Sequence, residues 1–279
     1  MTDAMTDAPV ATHVLPPRRA GRSRLAAVLP ALVFGAAFLG AWEAVVHLFS
    51  LKPYFLSPPS KIFGEFTDNF SLIWAAVKVS GLNALVGLVF GTILGVLVAF
   101  LLRRYPVLGE LVTPLAVAVN AVPIFVLVAV FNKMFALTSE VPRRLMVLLV
   151  VYFIVLVNVA KGLTQVNPIH LELMRSLAAP PREVLRKVRI PNAIPYLFTA
   201  LRIAAPAAVV TAFVSEYFGG AQNGLGSRIT SNISISKNAV AWAYVVGACL
   251  LGLAFYLIST LVEGAVTSRG AANRREGRA

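Results

Sequence analysis

The sequence contains few of the residues that enzymes use for chemistry. Among 279 residues there are 1 cysteine, 3 histidines and 12 Asp and Glu together. Cys249, the single cysteine, excludes an intrachain disulfide and a thiolate metal site. His13, His47 and His170 are scattered, and the chain has neither a His-Glu-x-x-His motif nor a Gly-rich loop ending in Gly-Lys-Ser/Thr. We therefore expect no metal site, no catalytic centre and no phosphate-binding loop of that kind.

Charged residues are also scarce. They make up 13% of the chain, against 58% hydrophobic residues, and the mean hydropathy is +0.79. This composition is too apolar for a soluble domain of this size. A membrane-spanning helix needs roughly 20 apolar residues, and six runs meet that need: 25–49, 80–102, 107–130, 145–163, 196–218 and 240–262. We predict an all-α polytopic membrane bundle of six transmembrane helices.

The distribution of cations predicts the orientation of these helices. Cytoplasmic flanks carry the excess of Lys and Arg, and most of the 25 cations become cytoplasmic if both termini are inside. Arg143 and Arg144 are the main exceptions, because they then lie on the external side. The net charge of +13 fits this topology and contact with anionic lipid. Basic residues are not interleaved with aromatic ones, so we expect no nucleic-acid partner.

The two ends of the chain are predicted to lie outside the bundle. Residues 1–24 have the composition of a disordered cytoplasmic lead, and residues 268–279 form a basic cytoplasmic tail. The twin arginines Arg18 and Arg19 before an apolar run leave an export signal as an alternative, although no small-residue cleavage site closes that run.

One polar segment, 165–195, interrupts the apolar runs between the fourth and fifth predicted spans. Its first half places Ile169, Leu173 and Leu177 four residues apart, which predicts a helix with one apolar face. Its second half, 182–189, repeats this pattern, and Pro180-Pro181 separates the two helices. Such helices need a partner for their apolar faces. The residues alone leave open whether that partner is the membrane surface or a groove on another protein.

Two further patterns involve glycine. Gly87, Gly91 and Gly95 are four apart in the second span, and this spacing favours close packing of helices within one bundle. After the fifth span, Glu216 precedes a turn that contains Gly219, Gly220, Gly224 and Gly226. Asn223-Gly224 predicts positive backbone torsions in that turn. Its functional alternative is a periplasmic gate or docking loop in which Glu216 pairs with a cation on a partner.

The polar segment resembles a motif of one transporter family. The cytoplasmic loop of permease subunits in binding-protein-dependent ABC importers reads Glu-Ala-Ala, three residues, Gly, nine residues, Ile, one residue, Leu-Pro. Here Glu172 stands at the Glu position, Val188 at the Ile position and Ile190-Pro191 at the Leu-Pro positions. Leu173 and Met174 replace the two alanines. Ala178 replaces the glycine, with Pro180-Pro181 as a break just downstream.

The resemblance extends over most of 25–267. Residues 55–60 and 214–220 look like the nitrate, sulfonate and taurine group of these permeases. It implies a type I, MetI-like architecture in a bacterial inner membrane, with a small polar solute delivered by an external binding protein. It also implies a cytoplasmic ATPase dimer that uses the ATP, no cofactor on this chain, and a homodimeric pore.

The resemblance assigns the ATPase-coupling role to the 165–195 loop. The residues that we expect to contribute are Glu172, Met174, Arg175, Leu177, Ala178, Arg186, Val188, Arg189, Ile190 and Pro191, with Arg186 and Arg189 as supporting ionic contacts. The alternative is an autonomous secondary carrier or channel, for which membrane-embedded ionisable residues and internal repeats would be expected. A membrane enzyme is disfavoured by the missing catalytic clusters.

Overall fold

The computed structural model describes residues 24–52, 55–105, 107, 109–110, 114, 118, 122–136 and 138–276. Within these ranges every regular element is helical. The helices are α1 (Arg24–Leu48), α2 (Pro59–Asp68), α3 (Phe70–Arg104), α4 (Ile124–Met134), α5 (Val141–Thr164), α6 (Pro168–Ser176), α7 (Pro181–Val184), a π-helical turn (Leu185–Arg189), α8 (Ile190–Tyr217), α9 (Leu225–Ser234) and α10 (Asn238–Glu276).

Among the described residues, 5 segments are long and apolar enough to cross a membrane: Leu29–Leu48, Phe70–Arg104, Val141–Thr164, Pro181–Tyr217 and Asn238–Val266. Each of these segments overlaps one predicted span over most of that span's length. The remaining predicted span, 107–130, lies partly outside the described residues, and α4 contains its last part. The number six therefore stays a prediction. The predicted lead at 1–24 lies outside the described residues except for Arg24, whereas α10 continues through the predicted tail to Glu276.

The second half of the polar segment differs from the separate helix that its pattern predicts. The helix from Pro181 runs through the π-helical turn into α8, so the loop and the following span form one continuous rod. The amide of Ile190 donates to the carbonyl of Leu185 across this wide turn. The turn comes directly before Pro191, whose nitrogen cannot donate the usual i→i−4 hydrogen bond. A wider turn thus accommodates this proline without ending the helix.

The core lies where α3, α5 and α8 meet. Val147, Val151 and Val155 of α5 are fully buried and four residues apart. On α8, a buried stripe of alanines with the same spacing (Ala200, Ala204, Ala208 and Ala212) belongs to the same cluster. Rows of residues four apart form the ridges along which helices pack. The small side chains on α8 allow its backbone to approach closely, as is common between membrane helices.

The predicted glycine stripe of α3 packs against the buried valines of α5. A Cβ added at Gly91 would stand 2.7 Å from the carbonyl oxygen of Leu148 and 2.8 Å from Cβ of Val151. At Gly95 the corresponding distances to Tyr152 and Val155 are 2.8 and 2.9 Å, and Gly87 contacts Val147 still more closely. Since no Cβ fits at these three positions, glycine sets the distance between α3 and α5.

Candidate functional site

The polar segment, here called the coupling loop (165–195), begins with a capped helix. The side chain of Asn167 accepts a hydrogen bond of 3.0 Å from the backbone N–H of Ile169, and Pro168 occupies the first turn of α6. A proline fits there because its missing N–H has no intrahelical partner at that position. The chain therefore starts α6 at a defined residue, as the sequence predicts.

α6 presents its apolar face to the surroundings. Ile169, Leu173 and Leu177 have exposed fractions of 69%, 55% and 67%. Of the predicted coupling residues around them, Glu172, Arg175 and Ala178 are exposed and Met174 is partly buried. Farther along, Arg186 and Pro191 are exposed, while Val188, Arg189 and Ile190 are partly buried. An apolar stripe rimmed by charged side chains is typical of a surface that docks onto a protein.

The base of the coupling loop is clamped to the end of α5. Arg189 donates from Nη1 to the carbonyl of Leu163 at 2.7 Å. Asn192 donates from Nδ2 to the carbonyls of Gly162 and Gln165 at 2.7 and 3.0 Å. These carbonyls have no intrahelical partner because they end the helix. The start of α8 thus caps the end of α5, so the loop enters and leaves the bundle through one rigid joint.

This joint gives Arg189 a contact within its own chain. Nη1 of its guanidinium binds the carbonyl of Leu163, and the ionic contact of Arg189 with a partner stays a prediction. Asn192 belongs to this joint, although no sequence pattern described above includes it. Its sequence signal is weak: Asn192 is a single polar residue that follows Pro191 and comes directly before the apolar run that begins at Ala193.

Ala178 occupies an unusual backbone conformation. Its φ is +49°, in the left-handed region, and it stands where the family motif has glycine. The amide of Ala178 donates to the carbonyl of Arg175, and that of Ala179 donates to the carbonyl of Met174, which closes the end of α6. A left-handed residue commonly ends a helix in this way. The turn is therefore kept without the glycine, at the cost of a strained alanine.

Replacing Ala178 with glycine is expected to stabilise the chain by about 1 kcal/mol, because glycine adopts left-handed torsions without the steric cost of Cβ. Thermal unfolding of the purified chain in detergent measures the effect. Ala179→Gly is the control: Ala179 has no positive φ, so glycine there gains nothing and loosens the unfolded chain. Equal midpoint temperatures for Ala178→Gly and Ala179→Gly would contradict the assignment.

A second group of polar residues lies at the other end of α5. We call it the polar cluster: Ser80, Asn83, Glu140, Arg143, Arg144, Glu216 and Asn223. Because α5 has 24 residues and each rises 1.5 Å, roughly 35 Å separates this cluster from the coupling loop. The two sites are connected directly by α5 and α8, whose opposite ends contribute to each.

Arg143 is the centre of the polar cluster. Its side chain is fully buried. It donates from Nη1 to Oε2 of Glu140 at 2.7 Å and to Oδ1 of Asn223 at 2.9 Å, and from Nη2 to the carbonyl of Ala221. A buried guanidinium with several partners is a structural tie, since an arginine without them would be very costly to bury. Arg143 holds the turn after α8 against the start of α5.

Glu140 and Asn83 extend this tie to α3. Asn83 donates from Nδ2 to Oε2 of Glu140 at 2.8 Å and accepts from Nε of Arg144 at 3.0 Å. Asn223 donates to Oε1 of Glu140 at 2.7 Å. Arg143 and Arg144, the exceptions to the predicted charge distribution, therefore both have partners within the protein: Arg143 forms an ion pair with Glu140, and Arg144 a hydrogen bond with Asn83. Contacts within the protein therefore stabilise these two arginines, and a cytoplasmic location is not required.

Glu216 is fully buried and joins three helices. Its Oε2 accepts from Oγ of Ser80 at 2.7 Å and from the amide of Gly226 at 3.1 Å, and Ser80 accepts from the amide of Leu225 at 2.9 Å. The carboxylate is thus enclosed by its own chain. The predicted pairing of Glu216 with a cation on a docking partner does not fit this conformation, because no face of the carboxylate is exposed.

The glycines of this turn serve two different purposes. Gly219 and Gly220 have φ of +138° and +85°, where other residues are strained. Gly224, by contrast, has φ of −91°, so the positive torsion predicted at Asn223-Gly224 is wrong. A Cβ at Gly224 would overlap the Glu216 carboxyl group, and one at Gly226 would overlap the carbonyl of Phe213. These two glycines are required by close packing.

The environment of Glu140 lowers the pKa of its carboxyl group. Burial opposes ionisation, but the hydrogen bonds from Asn223 and Asn83 and the charge of Arg143 outweigh it. A carboxyl whose pKa is lower in the folded state stabilises the fold above its unfolded pKa, and this stabilisation is lost as the pH falls through the folded value.

Glu140→Gln is therefore expected to lower the unfolding temperature by a constant amount at neutral and mildly acidic pH. The difference from wild type should shrink once the pH falls below about 4.3, the ordinary pKa of Glu. Thermal unfolding of both proteins across a pH series measures it. If the difference in unfolding temperature between the two proteins grew on acidification, folding would not lower the pKa of Glu140.

The carboxylates of the polar cluster are hydrogen-bonded within the protein. Among the described residues, no group of three or more His, Cys, Asp and Glu side chains is placed to bind a metal ion. The carboxylates of Glu140 and Glu216 are engaged by hydrogen bonds that tie helices together.

Comparison with known proteins identifies similar chains. A family model described as binding-protein-dependent transport system inner membrane component matches residues 91–269. A probable ABC transporter permease protein of Haemophilus influenzae is 28% identical over 71% of this chain and 79% of its own length. The formylaminopyrimidine transport permease protein ThiX of Halalkalibacterium halodurans is 30% identical over 66% of this chain and 73% of its own.

A solved structure has the same fold. A chain of the MetNI methionine ABC transporter, described as inward-facing, superposes with a TM-score of 0.51 and 20% sequence identity. The superposition covers 70% of this chain and 94% of that one. At this identity the similarity concerns the arrangement of helices.

Proposed function

Because this chain belongs to the family of inner-membrane components of binding-protein-dependent transport systems, we propose that its coupling loop is the docking site of a cytoplasmic ATPase. The chain is a multi-pass permease subunit of an ABC importer. The ATPase would use the ATP, and this chain would bind no cofactor. Closure of an ATPase dimer would move α6, and the clamp at Arg189 and Asn192 would pass that movement to α5 and α8.

The exposed apolar stripe of α6 is the observation that carries this proposal. Ile169 and Leu173 lie on a short helix whose start is capped, Leu177 directly follows it, and the base of the loop that carries it is clamped to α5. An immobilised apolar stripe loses little conformational entropy on docking, so it suits a protein groove. A segment lying on the membrane surface would not need such a joint to the spans.

The remaining partners follow from the architecture of the family. A second copy of the chain would complete the translocation path, with both termini in the cytoplasm, and an external binding protein would deliver the solute. We place the polar cluster on the external side, where it would hold the turn at 219–226 in position beneath that binding protein. Within this placement Glu216 acts as a lock between helices.

The transported solute is proposed to be small and polar, of the nitrate, sulfonate and taurine type or a pyrimidine-type precursor. Residues 55–60 and 214–220 support the first group, and the similarity to ThiX, which is named for formylaminopyrimidine, supports the second. Uptake of a representative solute of each class, measured in cells with and without this chain, would decide between these classes.

The docking proposal is tested by purifying the tagged chain from its own cells and measuring the ATPase that accompanies it. Glu172→Lys is expected to reduce the ATPase recovered at least tenfold, which corresponds to about 1.4 kcal/mol of binding free energy. ATP-dependent uptake should fall with it. The reason is that a reversed charge at the rim of the apolar stripe opposes the partner that the native charge attracts.

Glu183→Lys is the matched control. It makes the same change of charge in the same loop, and Glu183 is exposed and, among the side chains that the structure describes, pairs with Lys187 at 2.9 Å. Exposed pairs of this kind contribute little to stability, so ATPase recovery and uptake should stay near wild type. Full recovery and uptake with Glu172→Lys would refute the docking site. Solute transport by the chain alone in liposomes would favour the autonomous carrier.

A further inference from the structure

A cleft of about 490 Å³ opens beside the coupling loop, between the end of α3 and the start of α7. Arg103 and Arg104 come from the last turn of α3, and Arg189 comes from the π-helical turn. Phe100, Val184 and Leu185 contribute apolar walls. Its volume is within the roughly 300–1,000 Å³ of typical small-ligand sites. The transport function proposed above uses none of the arginines of α3.

The charge of this cleft is of one sign. Among the described residues that line it there are three arginines and no carboxylate. Arg103 and Arg104 are favoured at the end of a helix by its dipole, but Arg189 comes from another element and is held in place by the carbonyl of Leu163. Three guanidinium groups around one space repel each other, and an anion between them would relieve that repulsion. Arginine forks match the oxygens of a phosphate group in particular.

The position of the cleft in the bundle identifies the source of the phosphate. Arg104 ends the Phe70–Arg104 span, and Pro181 begins the Pro181–Tyr217 span. These helices are longer than a hydrocarbon core of about 30 Å, but the apolar run 80–102 ends directly before Arg103 and Arg104. Cations that follow an apolar run lie at the level of the lipid headgroups. Phe100, one turn before Arg104, is on the hydrocarbon side of the arginines. This order of apolar wall and cations matches the order of acyl chain and phosphate in a phospholipid.

We propose that this cleft binds the phosphate headgroup of an anionic phospholipid, with Arg103, Arg104 and Arg189 as its ligands. The site requires only that the chain is in a membrane, and it is independent of the docking of an ATPase. A lipid held between α3 and the start of α7 would brace the base of the coupling loop from the side opposite the clamp on α5.

The test uses the full-length chain purified in mild detergent and loaded with equal amounts of phosphatidylglycerol and phosphatidylcholine. Native mass spectrometry then counts each lipid retained per chain. Wild type should retain phosphatidylglycerol in preference to phosphatidylcholine, and a large excess of inorganic phosphate should not displace it. The double variant Arg103→Gln, Arg104→Gln should retain about tenfold less phosphatidylglycerol.

The matched control is the double variant Arg182→Gln, Arg186→Gln. It removes the same charge from the same end of the bundle, but neither residue lines the cleft, so retention should equal that of wild type. The wild-type preference between the two lipids needs no variant and stands even if a variant folds poorly.

Three results would overturn the proposal. Equal retention by the Arg103, Arg104 variant would place the lipid elsewhere. Displacement of the lipid by inorganic phosphate would identify a site for free phosphate. Loss of the lipid when the chain is co-purified with its ATPase would show that the partner, and not a lipid, occupies the cleft in the complex.

Discussion

Replacing Arg143 with glutamine is expected to destabilise the chain by about 3–5 kcal/mol, the usual cost of breaking a buried charge pair from one side. Glutamine is shorter and neutral, so it cannot reach Glu140, Asn223 and the carbonyl of Ala221 together. Glu140 would lose the partner that compensates its charge. The turn after α8 would lose its attachment to α5.

Thermal unfolding in detergent, followed by the fraction of monodisperse protein, measures this effect. The midpoint is expected to fall on the order of 10 °C, from the usual relation between stability and midpoint for a chain of this size. Arg144→Gln is the control, since Arg144 makes one hydrogen bond of 3.0 Å to Asn83 and is partly exposed. If both variants lowered the midpoint temperature equally, the loss of a positive charge would explain the destabilisation, and the buried hydrogen bonds of Arg143 would not.

The double variant Arg143→Gln, Glu140→Gln separates the pair from its surroundings. If the two residues stabilise each other, the double variant should be less destabilised than the sum of the single ones. Additive losses would show that Arg143 acts mainly through Asn223 and Ala221. Comparing the double variant with the two single variants therefore shows which contact of Arg143 stabilises the chain. A single substitution removes all contacts of Arg143 at once and cannot show this.

Arg143 also shows where sequence reasoning ends. The distribution of cations is a rule about the average charge of loops, and it treats each arginine as a free charge that prefers one side. The partners of Arg143 are three residues away at Glu140 and about eighty away at Ala221 and Asn223. Nothing in the local sequence indicates such distant partners. The charge rule therefore treats Arg143 and Arg144 as exceptions on the external side, although both have partners within the protein.

The coupling loop was more predictable because its signals are local. The cap at Asn167, the first-turn proline and the spacing of Ile169, Leu173 and Leu177 all act within a few residues, and the structure contains the helix that they predict. The second helix was mispredicted as separate. Its fusion to α8 depends on a π-helical turn before Pro191, and periodicity calculated for ordinary helices does not detect a wider turn.

Ala178 is an intermediate case. The motif indicates that a turn is needed at this position, and the replacement of glycine makes that turn uncertain from sequence alone. The structure keeps the turn and places the strain on the alanine. The amides of Ala178 and Ala179 donate to carbonyls of the last turn of α6, so these helix-ending bonds hold the backbone in a conformation that alanine alone disfavours.

The second large effect is expected at the contact between α3 and α5, where Gly91→Ala should destabilise the chain by about 2–3 kcal/mol. The new Cβ would stand 2.7 Å from the carbonyl oxygen of Leu148 and 2.8 Å from Cβ of Val151. The first of these is backbone, so it cannot move aside as a flexible side chain would. α3 and α5 would have to separate along the whole stripe from Gly87 to Gly95.

The same substitution at Gly252 should have the opposite sign. A Cβ there meets only Cγ1 of Val209, at 4.0 Å, which is an ordinary contact. Alanine is favoured over glycine inside a helix by up to about 1 kcal/mol, so Gly252→Ala should raise the unfolding temperature. Both substitutions add one methyl group inside a long helix, so helix propensity favours alanine at both positions. A lower midpoint for Gly91→Ala together with a higher one for Gly252→Ala would therefore isolate the contact with α5, whereas two increases would show that α3 and α5 can separate freely.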